Sequence, residues 1–425
     1  MIIKPRGTSD ILPDDAPLWQ KTEEIARSTA ALFGYSEIRF PTFESTELFQ
    51  RGVGSTTDVV QKEMYTFQDK DGRSMTLRPE GTACVVRSVI ENGMCGDAMP
   101  LKLYYFTSCF RYEKPAAGRY REFYQFGTEL FGADTPGADA SVIALAYTFL
   151  ERLGINEVKL MINSIGCKEC RPDYRNALVE YFSGRENELC DTCRQRLQTN
   201  PMRILDCKCP ECQKIAENAP KVTDYLCEKC RAHLDGLTSL LDGMGIAYEL
   251  DPGIVRGLDY YTKTVFEFIA PVDIDKKTGE KKYLAVCAGG RYDGLVEEIG
   301  GPSVPGIGFA AGMDRLVAAM KLSGKELPVR EKPVIYFAPL GARAQSECGK
   351  LAYRLRLGGI YAECDIVGRS LKAQMKYADK IGAKYTVIIG DNEIDAGCAV
   401  LKSMENGSQE NVSLSELYKI LSERG

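Results

Sequence analysis

Histidine is almost missing from this chain: its 425 residues include one, His233. That excludes most chemistry built on an imidazole base, Ser-His-Asp and Cys-His arrangements among them, and it excludes His-rich metal sites. Long apolar runs are missing too, since no stretch reaches the length that crosses a bilayer. Residues 1–6 lack the pattern of a signal peptide, and the expectation is a cytoplasmic protein with no membrane partner. Neither sign of charge dominates. With 54 Lys and Arg against 59 Asp and Glu the net charge is −5, so any RNA contact must come from a local patch. What remains for catalysis is Arg, Glu, Gln, Tyr and bound ions.

With 44% hydrophobic residues the chain can bury more than one core, and two or three domains are expected. Over residues 1–325 short helical and strand patterns mix without a regular βαβ rhythm, which predicts an α+β domain. Residues 18–33 read as a helix stopped by Gly34, and 35–43 as a strand with Pro41 at an end or edge. Residues 101–113 and 122–131 are alternating runs around a hairpin tip at 114–119, and 139–153 read as a buried helix. In 165–245 the texture changes to polar helices with nine cysteines, the mark of an insertion. Residues 323–333 form a polar, proline-flanked linker. Beyond it, 331–425 alternate strands (334–338, 360–364, 385–389, 398–404) with helices (344–357, 371–381, 414–422), a small α/β domain with a mixed sheet.

The most telling stretch is Arg256-Gly257-Leu258-Asp259-Tyr260-Tyr261, a permanent cation beside a tight turn and two aromatics, leading into an alternating run at 262–268. A guanidinium fork there suits a carboxylate or phosphate; alone, it reads equally well as a surface arginine before a hairpin. In the hairpin, Arg111 and Glu113 share one strand face, as do Phe123, Gln125, Gly127 and Glu129 on the returning strand. A polar row is costly in a buried sheet but ordinary on a solvated one. Bounded by Arg111, Arg119 and Arg121, and with the flat ring of Phe123, it reads better as a pocket for a nucleotide. A glycine-rich run, Gly306-Ile307-Gly308-Phe309-Ala310-Ala311-Gly312, opens a helix carrying Arg315. It allows close approach of backbone to ligand, though such runs more often serve packing.

The insertion carries Cys167-x-x-Cys170, Cys190-x-x-Cys193, Cys207-x-Cys209-x-x-Cys212 and Cys227-x-x-Cys230. Without disulfide-favouring context these are reduced thiols, packed as small apolar residues or bound to metal. Four pairs in one segment favour ligands for two structural Zn²⁺ sites, Cys167, Cys170, Cys190, Cys193, Cys207, Cys212, Cys227 and Cys230, with Cys209 left over. Spacing does not say which pairs combine. His233 reads as an ordinary surface residue.

Taken together, these residues resemble the class II aminoacyl-tRNA synthetase family, most closely its histidyl branch. Residues 33–44 match the family's dimer-interface motif, 110–129 and 306–315 its ATP motifs, and Arg256–Tyr261 and Gly289-Gly290-Arg291-Tyr292-Asp293-Gly294 the histidyl signatures. Leu77-Arg78-Pro79-Glu80-Gly81-Thr82 matches the segment that holds the substrate ammonium group. The resemblance implies a class II catalytic domain on a mostly antiparallel sheet and a C-terminal anticodon-binding domain. It implies a cytoplasmic homodimer that uses ATP with Mg²⁺ to activate L-histidine and charge tRNA(His). Glu80, Gly81, Thr82 and Gln125 would hold the α-ammonium group, and Glu129, Tyr260 and Tyr261 the imidazole. Arg111 would grip the α-phosphate, Glu113 and Phe123 the adenine, Arg119 and Arg315 the terminal phosphates. Arg256 would sit between substrate carboxylate and α-phosphate, so that Arg256 and Arg111 are the catalytic pair. Ala116 and Ala117 depart from the pattern, standing where longer polar residues often touch the tRNA acceptor end.

In the C-terminal domain Lys372, Lys376 and Lys380 recur on one helical face, and residues 343–384 hold nine basic against four acidic residues. A lysine stripe is usually a solvated face; in an anticodon-binding module it gains a phosphate-contacting role. Two other functions remain open at this stage: a non-catalytic synthetase-like regulatory subunit, and a zinc-based RNA-binding protein. The first commonly lacks the ATP-site arginines and the last domain, both of which this chain has.

Overall fold

The computed structural model describes residues 1–424 apart from Thr56 and Ala117, so the reading of Ala117 lies outside the described residues. Two compact units emerge, Met1–Pro328 and Val329–Gly425, meeting inside the polar 323–333 segment.

The first unit is built on an eight-stranded sheet in the order Ser36–Glu37, Leu101–Phe110, Glu122–Phe131, Gly306–Gly312, Lys281–Arg291, Thr262–Ile274, Lys159–Ser164, Glu249–Leu250. The six inner strands are antiparallel and only the two-residue edge strands pair parallel. Alternation sorts the faces. Phe126, Leu130, Phe266, Phe268 and Ile307 turn to one side and pack on the helices Ala16–Leu32, Pro136–Leu153 and Met313–Leu322. Helix Pro136–Leu153 starts with proline in its first turn and stops at Gly154, whose φ of 73° closes the C-cap. The opposite face carries Leu103, Tyr105 and Val265 toward the helix Thr82–Glu91. A three-stranded sheet (Phe43–Ser45, Ser74–Leu77, Tyr65–Gln68) flanks this side and leaves Phe43 and Phe67 exposed, ring against ring.

Two strands are shorter than the alternation predicts. The 35–43 run keeps only Ser36–Glu37 and Phe43–Ser45. Pro41 has no N–H to pair, and the carbonyls of Phe40 and Pro41 instead accept the Arg78 guanidinium at 3.1 and 2.8 Å. The 101–113 run ends at Phe110. Arg111 makes one more ladder bond, to the Arg121 carbonyl at 2.9 Å, before the chain turns at Lys114-Pro115; Arg111 and Glu113 therefore project from a loop, not a strand face.

The cysteine-rich lobe holds four helices, Arg171–Ser183, Asp191–Thr199, Pro210–Ala216 and Glu228–Met244. His233, expected at the surface, is buried. Its Nε2 lies 2.8 Å from Asp139 Oδ2, joining the lobe's last helix to Pro136–Leu153. The sequence reading missed this because Asp139 lies 94 residues away.

In the second unit the strands Ala362–Cys364, Ile335–Pro339, Tyr385–Ile389, Cys398–Ser403 and Gln409–Ser413 form one sheet in that order, the first three parallel and the rest antiparallel. The last strand and the helix Asp391–Ala396 escaped the pattern reading, being short and polar.

Candidate functional site

A cavity of about 290 Å³ opens on the sheet face away from the long helices. Its floor is made by Ala285–Ala288 of one strand and Gly308, Phe309, Ala310 and Gly312 of the next, where small residues leave the volume empty. Around it stand Arg111 and Arg119 from one hairpin loop and Arg256 and Arg315 from two further segments. Each guanidinium is held by the fold. Arg111 Nε donates to the Pro79 carbonyl at 2.8 Å and the group lies 5.4 Å from the Phe123 ring centroid. Arg315 donates to the carbonyls of Gly118 (3.0 Å) and Ala285 (2.6 Å). Burial, with Arg119 nearby, pulls the Arg315 pKa below its usual value. Arg119 pairs with Glu113 at 2.8 Å. Arg256 pairs with Glu267 and sits 5.6 Å over the Tyr261 ring. Arg119 and Arg256 face carboxylates, whereas Arg111 and Arg315 are held by backbone carbonyls, which leaves their charge for an anionic ligand.

The other end of the cavity is lined by Glu80, Thr82, Gln125, Tyr105, Tyr260, Tyr261 and Tyr292. Glu80 caps the helix Thr82–Glu91, accepting the backbone N–H groups of Thr82 (2.8 Å) and Ala83 (2.7 Å). Burial raises its pKa against those bonds. Gln125 accepts the Cys109 thiol at 3.3 Å. Glu129 and Gly81, expected to touch substrate, do not line the cavity. The Glu129 carboxylate is buried behind it, accepting Tyr292 Oη at 2.5 Å, Thr82 Oγ1 at 2.8 Å and Tyr105 Oη at 3.3 Å. Register sets these neighbours: Tyr105 stands opposite Gly127, where a Cβ would overlap its ring, as it would at Gly81, and Glu129 stands opposite Gly308, where a Cβ would meet its carboxylate. Burial pushes the Glu129 pKa up to about 8, with the three hydroxyl donors pulling the other way.

The comparisons with known proteins converge. A family model described as "Histidyl-tRNA synthetase" matches residues 7–316, and one described as "Anticodon binding domain" matches 334–424. The chain belongs to the histidyl-tRNA synthetase family. It is similar to the histidine–tRNA ligase of Acetivibrio thermocellus, 53% identical over 417 residues and 98% of each chain. It is also similar to that of Caldicellulosiruptor bescii, 51% identical over 99% of this chain and 98% of the other. Among solved structures, the apo histidyl-tRNA synthetase of S. aureus superposes with a TM-score of 0.83 at 41% identity, covering 99% of this chain and all of the other.

Within this synthetase fold, some of what lines the cavity was legible and some was not. Tyr105 was missed, although its place opposite Gly127 is the kind of cross-strand pairing that parity could have located. Tyr292 lay in a quoted motif without a role, and Glu267 as the partner of Arg256 had no sequence signal. Arg291 of the same motif is fully buried and serves the fold: it donates to Asp139, to the carbonyls of Ala133 (2.9 Å) and Thr135 (3.4 Å), and to Asp293 (2.9 Å).

The cysteines resolve into two groups, Cys167, Cys170, Cys227 and Cys230, and Cys190, Cys193, Cys207 and Cys212, with each group's sulfurs within 4.8 Å of one another. Either set can hold a metal ion. Among the described residues no third His, Cys, Asp and Glu group converges this way, and none lies in the cavity. In the second unit, Lys372, Lys376 and Lys380 are exposed on the helix Leu371–Lys380, whose buried Ala378 and Gln374 face the strand Ile335–Pro339; Gln374 Nε2 donates to Pro339 O at 3.0 Å. Among the described residues no helix is long and apolar enough to cross a membrane.

Proposed function

We propose that this chain activates L-histidine with MgATP to histidyl-adenylate and transfers the histidyl group to the 3′ end of tRNA(His). The observation that carries the reading is the convergence of Arg111, Arg119, Arg256 and Arg315 with Glu80, Thr82 and Gln125 on one cavity. The first step needs no general base, because the substrate carboxylate is already an anion at neutral pH. Its oxygen bonds to the α-phosphorus as the bond to the bridging oxygen breaks and pyrophosphate leaves. Such an in-line displacement depends on positioning and charge stabilisation. Arg256 would face the carboxylate and Arg111 the α-phosphate, with Phe123 under the adenine and Glu113 at its edge. Arg119 and Arg315 would hold the outer phosphates. The ammonium group would meet Glu80, Thr82 and Gln125, and the imidazole would meet Tyr260 and Tyr261. Glu129, bonded to the cavity-lining Thr82, Tyr105 and Tyr292, would stand at the imidazole end.

The exposed Phe43 and Phe67 support a homodimer that covers this face, and the lysine face of the second unit supports anticodon-arm binding; the site of action is the cytoplasm. Histidine-dependent ATP–pyrophosphate exchange, followed by charging of tRNA(His), tests the reading. Exchange with no amino acid preference, or none at all, refutes it.

A further inference from the structure

In a tetrahedral zinc thiolate, bonds of about 2.3 Å place neighbouring sulfurs about 3.8 Å apart. The Sγ separations here are 3.7 Å for Cys167–Cys170, 3.8 Å for Cys167–Cys227, 3.9 Å for Cys170–Cys230 and 3.8 Å for Cys190–Cys207. Disulfides stand at about 2.05 Å, and all these cysteines are free. The gap fits one ion and leaves no room for a multi-iron cluster. Backbone N–H groups point at the sulfurs, Cys167 to Cys170 at 3.2 Å, Cys190 to Cys212 at 3.3 Å and Cys209 to Cys207 at 3.4 Å. Such donors favour thiolate and orient metal ligands; packed neutral thiols have little use for them. Cys209 itself turns away and donates to Glu211 at 2.8 Å.

The lobe's own core leans on cysteine, which supplies five of its fourteen buried members, Cys170, Cys193, Cys207, Cys212 and Cys230. Helix Arg171–Ser183 buries Tyr174, Leu178 and Phe182, Asp191–Thr199 buries Cys193 and Leu197, and Pro210–Ala216 buries only Cys212. A small domain whose core depends on cysteines in this way commonly draws part of its folding energy from a metal.

What the lobe supports is the Arg256–Tyr261 loop. Next to Cys170, Arg171 Nη2 donates to the Tyr261 carbonyl at 2.6 Å. Next to Cys167, the backbone of Ile165 and Gly166 clasps Lys263 from both sides, at 2.7 and 2.8 Å. Lys263 needs the clasp: its φ is 48°, a region that disfavours a side chain. From beyond Cys193, Asn200 reaches Asp259 at 3.2 Å and Arg203 reaches the Gly257 carbonyl at 2.8 Å.

We infer that the lobe is a two-zinc module with nested pairing, an outer site of Cys167, Cys170, Cys227 and Cys230 around an inner site of Cys190, Cys193, Cys207 and Cys212, and that the outer zinc braces the Arg256–Tyr261 loop. The bracing rests on the functional reading of that loop, whereas the metal assignment does not. Elemental analysis of the purified full chain should give two zinc ions per chain. Cys170→Ser and Cys193→Ser should each lose one, and Cys209→Ser neither. Should a variant fail to fold, the unaltered chain still decides: mercurial titration, with released zinc read by a chelating dye, should free two zinc ions in all once the eight ligand thiols are blocked, the other eight cysteines taking up mercurial without releasing zinc. Hydrogen exchange over residues 256–263 should be at least tenfold faster in Cys170→Ser than in Cys209→Ser. Absence of zinc, iron in its place, or zinc loss from Cys209→Ser overturns the module. One zinc lost from Cys170→Ser with unchanged exchange in 256–263 overturns the bracing.

Discussion

Removing the Arg256 guanidinium separates charge stabilisation from scaffolding. Two unit charges 4 Å apart at an effective dielectric of 20 interact by about 4 kcal/mol, and losing one preorganised donor to a transition state costs about 2.7–4 kcal/mol. Arg256→Ala is therefore expected to slow histidine-dependent pyrophosphate exchange by roughly 100- to 1,000-fold. Part of that loss is indirect. Glu267, now paired with Arg256 beside the cavity, would be left as an uncompensated anion facing the incoming phosphates. The double variant Arg256→Ala/Glu267→Gln removes that repulsion and should recover a minor share of the rate. Arg256→Lys keeps a point charge without the fork and should fall between wild type and Ala. The assay is exchange of labelled pyrophosphate into ATP at saturating histidine, with thermal midpoints recorded for each variant. Rates within twofold of wild type in both Ala variants would refute the placement of this arginine at the reacting atoms.

Gly308→Ala places a Cβ onto the Glu129 carboxylate and the Thr128 carbonyl, whereas Gly312 has open space; the first should lower the thermal midpoint by an overpacking cost of roughly 1–3 kcal/mol, and Gly312→Ala should leave it unchanged. Glu129, with a folded pKa near 8 against an ordinary 4.5, holds a proton in the folded state that the unfolded chain has released. Its contribution is full below pH 4.5 and is lost as pH rises through 8, so Glu129→Gln should flatten the fall in thermal midpoint between pH 5 and 9; an unaltered slope contradicts the burial argument. Replacing Lys372, Lys376 and Lys380 together by Glu should raise the KM for tRNA roughly tenfold and weaken its salt dependence, with pyrophosphate exchange unaffected.

Much of the fold was written in periodicity. The alternation at 122–131, the helices near 139–153 and 344–357, and the break at the proline-flanked linker are local signals, and local signals survive folding. What failed was long-range. The 35–43 strand stops because Arg78, far along the chain, takes the carbonyls of Phe40 and Pro41. Glu129 was placed by its strand face, while Thr82, Tyr105 and Tyr292, whose hydroxyls hold its carboxylate, come from other segments, and their bonds to it had no local signal. The arginines were readable as charges in motifs, while their partners, Glu267 and the carbonyls of Pro79 and Ala285, were not. Cysteine spacing announced four pairs but not their combination, which depends on how the lobe folds back on itself.

The joint between His233 and Asp139 turns scarcity into an instrument. Protein grown on isotope-labelled histidine would carry a single enriched ring per chain, three positions past Cys230 in a buried setting. Its resonance would report how the lobe's final helix seats against the core. Free amino acid added with a different isotope would give a second, separate signal from the cleft, so that one spectrum could follow occupancy and seating together.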